Sequence, residues 1–209
     1  MELYGLALHT TSSQLGLGLS NFLGEITYQT WDIDRELSNY LHLHLQEFIK
    51  PKTWQNLEYI VVAKGPGSFT STRIGVVTAR TLAQQLNLPL LGISTLKAFA
   101  WSQKDNYSPH GLIPVQMKAS QGKLYVAIYQ LTSDEKKLIT YLEDQVMTPE
   151  TWQQTLEKSI ISHPPAIASE QLGITVQSLL ELGYNQWQQG ESPHWSEIMP
   201  FYGMSVTVN

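Results

Sequence analysis

The chain has 209 residues, 42% apolar and 15% charged, which is enough apolar material for a sizeable core and rules out wholesale disorder. Lys plus Arg number 13 against 18 Asp plus Glu, a formal net charge of −5, which argues against a stand-alone nucleic-acid binder because phosphate contacts draw on Lys and Arg. Cysteine is absent, which excludes disulfides, Cys-ligated zinc, iron–sulfur clusters and thiol catalysis.

Met1-Glu2-Leu3-Tyr4 lacks the basic start and apolar stretch of a signal peptide, and no run approaches the roughly 18 apolar residues of a membrane span. A cytoplasmic, soluble protein is the expectation. Leu3 to Leu8 reads as a first strand. Leu15, Leu17 and Leu19 alternate with Gly16, Gly18 and Ser20, the period of a second strand, and Ile26 to Trp31 predicts a third. Short polar turns between them predict an antiparallel meander. Leu37, Leu41, Leu45 and Phe48 recur at helical spacing, so a helix is expected from about Asp34 to Ile49, with Asp34 as its cap and Pro51 beyond its end. Tyr59 to Ala63 reads as a buried strand. A loop, Gly65-Pro66-Gly67-Ser68-Phe69-Thr70, then leads into a helix from about Ser71 to Leu86. Pro89 to Ile93 predicts a strand and Ser94 to Trp101 a short helix capped by Ser94.

The polar stretch Ser102 to Gly111 marks a boundary between a first lobe, residues 1–103, and a smaller second lobe, residues 104–209, whose last segment has the option of packing back on the first. Strands are expected at Leu112 to Met117 and Leu124 to Leu131, and a further one at Glu135 to Leu142. Thr148-Pro149-Glu150 opens a helix. Ile167-Ala168 fits a strand, Gly173 to Leu182 fits either a helix or a strand, and the stretch from Tyr184 is ambiguous. The order describes an α/β lobe with a companion lobe.

Chemistry-bearing patterns are sparse. The loop at Gly65 follows a strand and opens a helix, where an anion could sit. It lacks a Walker lysine, however, and Thr70 stands where a dinucleotide fingerprint has its third glycine. A strand-to-helix turn with close backbone packing accounts for it as well. In the next helix Gly75, Ala79 and Ala83 form a small-residue strip, and Arg73, Arg80 and Gln84 a polar one. Small strips serve packing on the chain's own sheet and packing against a partner helix equally. From Tyr59 to Lys104 there are Lys64, Arg73, Arg80, Lys97 and Lys104 but no acid; from Ser159 onward there are Glu170, Glu181, Glu191 and Glu197 but no Lys or Arg. Scattered solvated charge explains this, as does complementarity to an acidic partner. His42 and His44 are two apart and point to different helix faces. Asp32 and Asp34 sit at a helix start. Ser68 is not in a nucleophile elbow. No catalytic, cofactor-binding or metal-ligating set emerges, and no cofactor is expected.

From Ala63 through Gly75 the run Ala-Lys-Gly-Pro-Gly-Ser-Phe-Thr-Ser-Thr-Arg-Ile-Gly closely resembles the TsaB (YeaZ) family, and the match continues through Ala79, Leu82, Ala83, Pro89, Gly92 and Ile93-Ser94-Thr95-Leu96. Gly122-Lys123-Leu124-Tyr125 agrees more weakly. The resemblance implies an actin/Hsp70-like (ASKHA, ribonuclease H-like) two-lobed α/β fold with mixed sheets. It implies a non-catalytic partner of TsaD in making threonylcarbamoyladenosine in tRNA, joined by the ATPase TsaE, with tRNA met through the complex. It also implies contact with TsaD through the first two long helices, at Leu37, Leu41, Leu45, Arg73, Gly75, Val76, Ala79, Arg80 and Ala83. The alternatives are a glycoprotease-like peptidase or ATP-hydrolysing enzyme of the same fold, and a homodimer using the same helix face. Departures fall at polar positions. His9 stands where the family usually has Asp, Leu37 where it often has His, Lys118-Ala119-Ser120 aligns with the family's Asp-Ala-Arg, Ser71 replaces Gly, and Met204 replaces the Arg of the C-terminal motif.

Overall fold

Alternation along the first strand decides how the molecule is layered. In β1 (Tyr4–His9), Tyr4, Leu6 and Leu8 point to one face and Ala7 to the other, and both faces are buried. The computed structural model describes residues 2–133, 137–161 and 163–203. β1 pairs antiparallel with β2 (Gln14–Ser20), which pairs antiparallel with β3 (Ile26–Asp32), forming the expected meander. On its other side β1 pairs parallel with β4 (Leu57–Ala63), and β4 parallel with β5 (Leu90–Ile93), giving the order β3-β2-β1-β4-β5.

Two helices cover one face of this sheet. α1 (Leu37–Phe48) contributes Leu37, Leu41 and Leu45, and α2 (Phe69–Leu86) contributes Val76, Ala79 and Ala83, to a core with Leu6, Leu8, Leu15, Leu17, Ile60 and Val62. The opposite face carries α5 (Val176–Gln188), so Gly173 to Leu182 resolves as a 3₁₀ turn followed by helix. The Leu/Gly alternation of β2 follows from this sandwich. Its leucines meet α1 and α2, while Gly16 and Gly18 lie flush against the α5 segment. A Cβ on Gly18 would stand 2.7 Å from Leu180 Cδ1. Glycine in a strand costs about 0.5–1 kcal/mol. Seating Val176, Leu179 and Leu180 close to the sheet outweighs that, at about 1.5–3 kcal/mol for each buried side chain.

The second sheet has the order β8-β7-β6-β9, from β6 (Leu112–Lys118), β7 (Leu124–Leu131), β8 (Leu138–Met147) and β9 (Ala166–Ile167). Of the strand expected from Glu135, residues 134–136 lie outside the described residues. α4 (Pro149–Lys158) packs Trp152 and Leu156 on Val126 and Ile128, and Trp152 Nε1 donates to Gln116 Oε1 at 2.8 Å. α3 (Thr95–Ser102) bridges the sheets, and its core runs from Ala7 and Val61 through Leu96 and Trp101 to Ile113 and Val115. The core therefore continues across the polar stretch around residue 103.

Caps at α3 and α4 match their sequences. Ser94 Oγ accepts from the Lys97 N–H at 3.2 Å and Thr148 Oγ1 from the Thr151 N–H at 3.2 Å. Asp34 does not cap α1. Its N–H is tied to the Ser13 carbonyl at 2.8 Å, it sits in a 3₁₀ turn with φ 37°, and Glu36 takes the cap position with no side-chain bond. After α5 the chain returns as a strap. The Leu90 N–H donates to Pro193 O, the Phe201 N–H donates to Lys64 O at 2.7 Å, and the Tyr202 ring packs on Phe69 with centroids 4.4 Å apart. Among the described residues no helix is long and apolar enough to cross a membrane.

Candidate protein-interaction site

The loop from Gly65 to Thr70 is a junction of four segments. The Ser68 N–H donates to Thr11 O at 2.8 Å, the Thr95 N–H donates to Gly65 O at 2.8 Å, and the strap reaches Lys64 O from Phe201. Gly65 has φ 102°, and a Cβ there would lie 2.3 Å from Phe201 O; one on Gly67 would lie 2.2 Å from Thr11 O. Both glycines thus serve close backbone approach. Gly65 and Pro66 are buried, whereas Ser68, Phe69 and Thr70 are exposed at the start of α2.

Most of the residues expected to meet a partner lie elsewhere. Leu37, Leu41, Leu45, Val76, Ala79 and Ala83 are buried in the chain's own core, and Gly75 is buried against Thr10, whose Oγ1 would lie 1.9 Å from a Cβ on that glycine. The small strip seats α2 on its own sheet. That is the reason these residues offer nothing to a second chain without opening the core. Arg80 is engaged by the strap: its guanidinium lies 5.5 Å from the Trp195 ring centroid and it donates to Met199 Sδ at 3.5 Å. Arg73 alone of the nine is an exposed side chain.

The outer faces of the same helices carry what the core does not use. Tyr40 and Leu43 on α1, and Phe69 and Val77 on α2, are large apolar side chains about half exposed, with Leu43 at 55% and Val77 at 51%. Thr70, Arg73, Val77, Thr81 and Gln84 follow one stripe of α2, with Ile74 half-buried beside it. The sequence held a signal for this face. Leu43 is out of phase with Leu37, Leu41 and Leu45, and Val77 is one position round from the buried Val76.

Part of the charge that is separated in sequence is brought together in the fold. Lys104 pairs with Asp105 at 3.0 Å, and Lys64 and Lys97 line a cavity with Glu191. Glu181 of the acid-rich last quarter accepts from Trp101 Nε1 at 2.6 Å. The basic segment and the acidic quarter therefore meet each other in the folded chain.

A cleft between the two sheets is lined by Thr11, Ser12, Gly67, Lys118, Ser120 and Lys123. His9 does not line it. His9 is fully buried, neither ring nitrogen has a hydrogen-bond partner among the described residues, and burial alone lowers its pKa from 6.5 to about 3. It is a neutral imidazole enclosed by the core. His42 is exposed, while His44 leans on Trp31 with centroids 4.4 Å apart. Among the described residues no group of three or more His, Asp or Glu is placed to hold a metal ion. Met204 lies outside the described residues.

Three antiparallel strands continued by two parallel ones, covered by helices and joined to a second mixed sheet, define the two-lobed ribonuclease H-like class to which actin and Hsp70 belong. Two solved structures from Pseudomonas aeruginosa share the fold along their whole length. One is described as an uncharacterized protein with similarity to the peptidase YeaZ, with TM-score 0.78 and 20% identity over 97% of this chain and 100% of that one. The other is YeaZ, with TM-score 0.77 and 20% identity over 96% and 99%. The family model described as "TsaD: tRNA N6-adenosine threonylcarbamoyltransferase" matches residues 43–181. The tRNA threonylcarbamoyladenosine biosynthesis protein TsaB of Bacillus subtilis is 43% identical over 76 residues, 36% of this chain and 32% of that protein. TsaB of Escherichia coli is 36% identical over 76 residues, again 36% and 32%. The chain belongs to this family, in its TsaB (YeaZ) branch. The matched stretch spans about a third of the length of these curated relatives.

Proposed function

We propose that this chain is a non-catalytic scaffold subunit of the machinery that makes threonylcarbamoyladenosine in tRNA, and that it binds and stabilises a TsaD protein through the outer faces of α1 and α2. The observation that carries the reading is the exposure of Leu43 on α1 and Val77 on α2, two helices whose inner faces are already committed to the core. Apolar side chains left out of phase on adjacent helices fit a partner that adds helices of its own. Likeness to TsaB, a protein of threonylcarbamoyladenosine biosynthesis, supports a TsaD protein as that partner. In this reading TsaE and tRNA meet the assembled pair, the protein works in the cytoplasm, and residues 1–103 and 104–209 act as two lobes, with α5 and the strap lent to the first.

The test is to mix the chain with its TsaD and follow both size and threonylcarbamoyl transfer to tRNA. The expected outcome is a one-to-one complex, with transfer by the mixture and none by this chain alone. Transfer, peptide cleavage or ATP hydrolysis by the isolated chain would overturn the scaffold role. A chain that forms only its own dimer, with TsaD excluded, would assign the same face to self-association.

A further inference from the structure

A cavity of about 460 Å³ opens where β5, α3, β8 and α5 meet. Phe201 of the strap lines it, while Tyr202 and Gly203 line the cleft between the sheets, so the strap separates the two spaces. Its charged lining is Lys64, Lys97, Lys137, Glu143, Asp144 and Glu191, equal in cations and anions. Among the described residues, the Lys64 and Lys97 amines take part in no ion pair within 4.0 Å, although carboxylates line the same wall. Asp144 is fixed in place. It accepts from the Tyr129 hydroxyl at 2.7 Å, and that hydroxyl lies 3.3 Å from Ser94 Oγ.

Of these groups Lys97 and Asp144 are partly withdrawn from water, while Lys137, Glu143 and Glu191 on the rim are exposed. Burial lowers the Lys97 pKa below the ordinary lysine value, with Glu143, Glu191 and Asp144 acting in the opposite direction. Burial raises that of Asp144. A charge withdrawn from water with no counter-charge in contact is costly, even where, as at Asp144, a neutral hydroxyl donates to it, and a ligand that supplies the counter-charge recovers that cost. A simple anion would meet three carboxylates, and a simple amine would meet the lysines. A molecule carrying both charges satisfies both sides. The volume lies within the range of roughly 300–1,000 Å³ usual for small-molecule sites. Ile93, Leu182 and Phe201 give it an apolar wall.

We infer that this cavity binds a small zwitterion of the amino-acid class, its carboxylate held by Lys64 and Lys97 and its ammonium group by Asp144, Glu143 and Glu191. The site is built by elements other than α1 and α2, so it stands or falls independently of partner binding.

The test is calorimetric titration of the isolated chain with individual L-amino acids, and with acetate, inorganic phosphate and ethylamine as single-charge controls. Saturable binding of at least one amino acid is expected, with each control about tenfold weaker or more. Lys97→Met should weaken that binding by about tenfold or more. Lys64→Met, further from the α3 core, gives the same reading if the first variant does not fold. Acetate or phosphate binding as tightly as the amino acids would reduce the site to a plain anion pocket and overturn the inference. So would the absence of saturable binding across the panel, or unchanged affinity in a folded lysine variant.

Discussion

His9 is sealed in the core at the end of β1, on the face it shares by strand alternation with Ala7. Burial is the sole cause of its lowered pKa, and no neighbouring charge contributes. The sign follows from linkage. The imidazole is neutral in the folded chain down to about pH 3 but gains a proton near 6.5 when unfolded, so the unfolded state binds more protons in between. Stability contributed by this residue is whole above about 6.5 and is lost as pH falls toward about 3, at up to about 1.4 kcal/mol per pH unit. Denaturant midpoints of the wild type and His9→Leu measured across that window should diverge with falling pH; parallel curves would contradict the neutral buried imidazole. Gly75 gives a second test at this scale. Gly75→Leu drives a side chain into Thr10 and should destabilise the isolated chain by about 1–3 kcal/mol, read as a lower melting temperature with no partner present.

At the scale of elements, the sequence disclosed more about where helices and strands lie than about what their faces meet. The period-two pattern of β2 and the four-residue spacing of Leu37, Leu41 and Leu45 correspond to the strands and helices found there. Gly173 to Leu182 was ambiguous because a short apolar run with a glycine at its start fits a buried strand as readily as a helix under a sheet. The strip Gly75, Ala79 and Ala83 could not reveal its neighbour, because small residues permit close approach by whatever element comes. Arg80 poses the same difficulty: in sequence a basic residue beside that strip resembles a partner contact, while in the fold Trp195 and Met199, more than a hundred residues later, lie against it. Arg80→Ala should therefore raise amide hydrogen exchange across residues 195–201 while leaving complex formation with TsaD near its wild-type level. Loss of the complex with an undisturbed strap would reverse that assignment.

Across the whole molecule, charge carried the least legible information. Sequence order separates a basic segment from an acidic quarter, yet folding lays Lys97 toward Glu191 across one cavity and Glu181 against Trp101, so the two face each other without a direct ion pair. What remains outward on the helical face is mixed: Tyr40, Leu43, Phe69 and Val77 stand among polar residues such as Thr70, Arg73, Thr81 and Gln84. The proposed assembly then rests on burial of that face. Affinity of the chain for TsaD, measured by calorimetry for the wild type and for the double variant Leu43→Asp plus Val77→Asp, tests this most directly. Both positions are exposed in the free chain, so its melting temperature should change little. The account predicts an affinity about a hundredfold lower or worse, as expected when charge is buried in an apolar contact. A folded double variant that binds TsaD as tightly as the wild type would contradict it.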